Sequence, residues 1–133
     1  MAKIAKVLGR QVFDSRGNPT VEAEVFLQNK IKASAIVPSG ASTGAFEAYE
    51  LRDNNKNYFI GKSVLTEVKN INTIINKSLK NVDSGKQKKI DRTLVDLDGT
   101  DNKKKLGANA LLAVSLAVAK AEAISKKKEL YQY

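Results

Sequence analysis

Apolar and polar positions alternate along the first third of the chain, then switch to three- and four-residue steps. Ile4, Val7, Leu8, Val12 and Phe13 form an extended apolar run. It stops at Asp14-Ser15-Arg16-Gly17-Asn18-Pro19, a stretch dense in turn formers. Val21, Ala23, Val25 and Leu27 then alternate with Glu22, Glu24 and Phe26, the period of a strand with one face on a core. Gln28-Asn29-Lys30 reads as a hairpin turn, and Ile31, Ala33, Ala35 and Val37 as a third strand ending at Pro38. Together these runs predict a three-stranded antiparallel meander.

Beyond it the period is helical. Val64, Leu65, Val68, Ile71, Ile74, Ile75 and Leu79 fall on one stripe, with Ser63 as the expected N-cap. A second helix is expected from Ser84, with Gln87 as its capping-box partner. It carries Ile90, Leu94, Val95 and Leu97 and stops at Asp98-Gly99. A third spans about Ala108 to Ser125. From Ala110 to Ala119 only Ser115 interrupts its apolar residues, so burial on all sides is expected, against something larger than this domain supplies. Lys120 and Glu122 end the run short of the ~20 apolar residues of a membrane span. The expected fold class is α+β: a three-stranded antiparallel meander followed by three or more helices, one domain over residues 1–133.

Composition removes several chemistries. The chain has no cysteine, which excludes disulfides, thiolate metal sites and thiol nucleophiles. It has no histidine either, the commonest general base and transition-metal ligand. Any catalysis falls to Lys, Asp, Glu, Tyr or Ser, or to an oxygen-bound metal. The net charge of +9 is uneven: +2 over residues 1–60 and +7 over residues 61–133. The lysines stand among Asn and Asp on solvated helix faces, and the runs Lys103-Lys104-Lys105 and Lys126-Lys127-Lys128 are short. Few aromatics are interleaved for base stacking, so nucleic acid is not the expected partner. Met1-Ala2-Lys3-Ile4 opens no signal-peptide pattern, and a cytoplasmic protein with no membrane partner is expected.

One segment carries candidate chemistry. Ser39-Gly40-Ala41-Ser42-Thr43-Gly44 follows the third strand and Pro38. Its small residues let the backbone approach a ligand, and its hydroxyls are hard oxygen donors suited to magnesium.

The chain resembles the N-terminal domain of enolase (phosphopyruvate hydratase) over essentially its whole length. The likeness rests on Gly9-Arg10-Gln11-Val12-Phe13-Asp14-Ser15-Arg16-Gly17-Asn18-Pro19-Thr20-Val21-Glu22 and on Val37-Pro38 with the loop that follows. Glu47-Ala48-Tyr49-Glu50-Leu51-Arg52-Asp53, Leu97-Asp98-Gly99-Thr100-Asp101-Asn102 and Leu106-Gly107-Ala108-Asn109-Ala110 extend it. The resemblance implies a capping domain whose C-terminal β/α barrel partner, absent from these residues, holds the acid–base groups. It implies an enzyme that reversibly dehydrates 2-phosphoglycerate to phosphoenolpyruvate in glycolysis with two magnesium ions. In that reading Ser39, Gly40, Ala41, Ser42, Thr43 and Gly44 form a substrate lid, and Ser42 ligates the second magnesium. Arg10 and Glu22 match salt bridges across the interface of a homodimer. Glu47, Glu50, Arg52 and Asp53 read as a structural charge network beside the lid. No catalytic residue is expected here, and the chain alone is expected to be inactive and to bind magnesium weakly. The alternatives are an interaction module using helix 108–125 and a basic nucleic-acid-binding domain.

Overall fold

A computed structural model describes residues 2–13, 15, 17–37, 65–99 and 108–133. The loop Ser39–Gly44, the charged residues Glu47, Glu50, Arg52 and Asp53, Ser63, and Lys103–Lys105 lie outside the described residues.

The expected meander forms. Strands β1 (Ile4–Phe13), β2 (Pro19–Leu27) and β3 (Lys32–Ile36) make a three-stranded antiparallel sheet in the order β1-β2-β3. The β2–β3 hairpin closes through Leu27 N–H to Ile31 O at 2.8 Å, with Lys30 left-handed (φ 72°) as its last turn residue. The Asn29 side chain accepts from Ile31 N–H and completes that turn.

Alternation along β2 separates two faces. Val21, Ala23, Val25 and Leu27 are buried with Ile4 and Val7 of β1 and Ala35 of β3. Helix α4 (Ala108–Ser125) covers β2 and β3, and buries Ala110, Ala113, Val114, Ala117, Val118 and Ala121 in the same core. Ala110, Ala113, Ala117 and Ala121 share this core with Ala23 and Ala35, small residues that permit a close approach of helix and sheet. Helix α3 (Gln87–Asp98) packs on α4 through Ile90 and Leu94 and ends at Gly99, left-handed at φ 69°. A polar bridge reinforces that contact: Ser115 Oγ donates to Asp91 Oδ1 at 2.6 Å, and the Gln87 amide donates to Asp91 and Ser115.

Two expectations need correction. The second helix starts at Gln87 rather than Ser84, and the capping box does not form. The Ser84 hydroxyl is drawn instead to Glu122 of α4, at 2.6 Å, and the Gln87 side chain turns to Ser115. The first helical stripe is not continuous: α1 (Leu65–Asn70) and α2 (Asn76–Leu79) flank a π-helical turn, Ile71–Ile75. The extra residue in the π turn shifts the stripe, so Glu67, Ile71, Ile75 and Leu79 are buried while Leu65 and Ile74 face outward. Among the described residues, helix α4 leaves Leu112 48% and Ile124 50% exposed.

The π turn has a structural purpose. It presents Asn72 and Asn76 to the outer edge of β1, where Asn76 Oδ1 accepts from Val7 N–H and Asn72 Oδ1 from Gly9 N–H, both at 2.8 Å. The Asn72 amide also donates to Gly9 O at 3.2 Å. An edge strand that would otherwise expose its backbone is thereby paired.

Candidate functional site

The loop with candidate chemistry is rooted in the sheet. β3 continues past Ile36 to Val37, which is buried and donates its N–H to Val21 O at 3.2 Å. The hydroxyl of buried Thr20 donates to Val37 O. Both polar groups of the last described residue before Pro38 are therefore fixed by β2, and the loop begins from a rigid point. Thr20→Val keeps the shape and removes that donor. It should cost about 1–2 kcal/mol in urea unfolding and speed hydrogen exchange at Val37. Unchanged exchange there would show that the hydroxyl does not hold the root.

The second candidate pair lies on the sheet face away from α4. Register places Arg10 opposite Glu22 and Leu8 opposite Glu24, so both carboxylates flank the guanidinium. Arg10 Nη1 meets Glu22 Oε1 at 2.5 Å, and Nη2 meets Glu24 Oε1 at 2.9 Å. The bonds to Glu24 and then Glu22 raise the Arg10 pKa above its ordinary value, partly opposed by desolvation. The Arg10 side chain remains 39% exposed, so each ion pair contributes little stability and the fork serves mainly to fix its orientation. Lys6, over the Phe26 ring at 5.9 Å, and Ile36 share this face. Sequence reading found Arg10 and Glu22 and missed Glu24. The period-two alternation of β2 was the available signal, since it puts Glu24 beside Glu22 on one face.

A further polar cluster went unseen in the sequence. Asp83, Glu122 and Lys126 line a cavity of about 600 Å³ at the end of the domain where β1 begins and α4 ends. Gly85 leaves room there for two carboxylates, since a Cβ would stand 3.2 Å from Asp83 Oδ1 and 3.3 Å from Glu122 Oε1 and would push their ends aside. Burial pushes the Tyr133 phenol pKa up, and the charges of Glu122 and Asp83 push it the same way. Among the described residues no group of three or more acidic side chains is placed to hold a metal ion.

Fold and sequence together define an α+β domain whose three-stranded meander is followed in the chain by the hydroxyl- and glycine-rich segment Ser39–Gly44. A family model described as enolase, N-terminal domain, matches residues 4–133. The chain belongs to that family.

Proposed function

We propose that this chain is the lid-bearing cap of an enolase that interconverts 2-phosphoglycerate and phosphoenolpyruvate in the cytoplasm as part of glycolysis. The carrying observation is the family match across residues 4–133, which includes the whole Ser39–Gly44 loop. The Thr20 and Val37 bonds support it, since a lid that closes reproducibly needs a fixed root. In this reading Gly40 and Ala41 bring backbone close to substrate, and closure excludes water. The hydroxyl and carbonyl oxygens of Ser42 are hard donors that would help to hold a magnesium ion, which when bound would supply positive charge to the reacting carboxylate end of the substrate. A barrel domain supplies the remaining ligands, the acid and the base. The Arg10 fork, held outward on the open face of the sheet, meets a second copy of the enzyme through Arg10 and Glu22.

The test is Ser42→Ala in the enzyme that carries this domain and its barrel. The rate at limiting magnesium should fall about 10–100-fold, the usual scale for losing a metal-supporting oxygen, with circular dichroism unchanged. The 133-residue chain by itself should form no phosphoenolpyruvate. Parental kinetics in the variant, or turnover by the isolated chain, would refute the assignment.

A further inference from the structure

The two edges of the sheet are treated differently. On β1 the outward groups of Val7 and Gly9 are taken by Asn76 and Asn72, and Ile4 bonds to Val82 and Asn81. On β3 the ladder to β2 uses Ile31 and Val37, and the register puts Ala33 and Ala35 in the same bonded set. The N–H and C=O groups of Lys32, Ser34 and Ile36 therefore point away from the sheet. Among the described residues, what meets them is the Lys120 ammonium, 3.3 Å from Ser34 O.

Beside this edge lies an open groove of about 350 Å³, between β3 and the C-terminal part of α4. Ala33 and Ala123 leave it room. Ile124 and Leu130, 50% and 40% exposed, give it apolar walls. Lys120 and Lys128 give it positive charge, whereas Glu129 is engaged in capping the 3₁₀ turn Leu130–Gln132.

We propose that this edge receives an extended acidic segment of another protein as a fourth strand. The segment pairs its backbone with Lys32, Ser34 and Ile36, and every second side chain faces the groove. Lys120 leaves Ser34 O and meets a carboxylate, while Ile124 and Leu130 cover an apolar neighbour. Charge selects the occupant. A second copy, itself at +9, would add its own Lys120 and Lys128 to the positive charge along this groove. Lysines on an edge strand guard against such self-pairing, and an acidic strand turns the same lysines into partners.

The test uses the 133-residue chain with a fluorescein-labelled peptide of about six residues, Thr-Glu-Thr-Val-Thr-Glu, whose alternate positions present both glutamate and valine to one face, and the same peptide with lysine for glutamate as control. Anisotropy should show saturable binding of the acidic peptide, at least about tenfold tighter than the basic one. Hydrogen exchange at the Ser34 and Ile36 amides should slow on binding. Lys120→Glu should weaken the acidic peptide about tenfold or more. Ser34→Pro, which removes an outward N–H and leaves the β2 ladder intact, should abolish binding. Circular dichroism checks both variants, and the helix-surface Lys120→Glu carries the result if Ser34→Pro does not fold. The proposal is overturned by equal affinity for the two peptides, by no saturable binding, or by protection mapping elsewhere. Ser34 protection that grows with protein concentration in the absence of peptide would assign the edge to a second copy instead.

Discussion

Gly9→Val should come close to unfolding the domain. At Gly9, β1 passes so near the π turn that a Cβ would stand 2.9 Å from Ile71 Cβ and 3.0 Å from its Cγ2 and Cδ1. Ile71 is fully buried and has nowhere to swing. The strand cannot retreat either, because Asn72 grips both the N–H and the C=O of Gly9. Overpacking of this kind costs about 1–3 kcal/mol, and backbone groups torn from Asn72 add about 1–3 kcal/mol more. A combined loss of about 3–5 kcal/mol takes much of the 5–15 kcal/mol typical of a whole domain. Gly9→Ala should fall between valine and parent. Urea midpoints decide it. A valine variant within about 1 kcal/mol of the parent would mean that strand and helix separate freely here, and that the asparagine clamp is not rigid.

That clamp also shows where sequence reading stops. The strands were legible because Val21, Ala23, Val25 and Leu27 alternate without a break, and a one-residue slip would turn them all to solvent. The hairpin was legible from Gln28-Asn29-Lys30. Asn72 and Asn76, by contrast, look like ordinary polar positions on a helix. Their role depends on β1, more than sixty positions away, arriving alongside. The π turn that aims them inserts a residue into the period, which moved Ile74 outward and Glu67 inward against a stripe read at constant pitch. The same limit applies to Ser84, where a local capping pattern gave no hint of a carboxylate from α4. Leu112 lies in the apolar run Ala110–Ala119, yet its exposure depends on which neighbours fold over it. At the candidate site, the sequence named Arg10 and Glu22 as salt-bridge residues of a dimer interface and the structure pairs them within one chain, while the loop lies outside the described residues. The anchoring by Thr20 needed the structure, whereas the alternation of β2 alone places Glu24 beside Glu22.

Ser84→Ala should be the other large loss, out of proportion to the single hydroxyl removed. Glu122 is 5% exposed on an alanine-rich helix, and its Oε2 accepts from Ser84 Oγ at 2.6 Å. The nearest cation, Lys126 Nζ, is 3.9 Å from Oε1 and cannot replace that donor. Ser84 also gives its backbone N–H to Ala2 O at 3.0 Å, so one residue ties the start of β1 to α4. Hydrogen bonds to a charged group are worth about 1.5–3 kcal/mol, and the side chain left behind is almost wholly within the protein. The expected cost is about 2–3 kcal/mol. The origin of that loss separates two accounts. If the cost lies in the stranded carboxylate, then Ser84→Ala combined with Glu122→Leu removes both partners and should restore most of the stability, because apolar replacement of a buried polar pair is often nearly neutral. If the hydroxyl mattered only through packing, the two substitutions would add. Additive losses in the double variant would therefore dismiss the buried carboxylate as the reason Ser84 sits where it does.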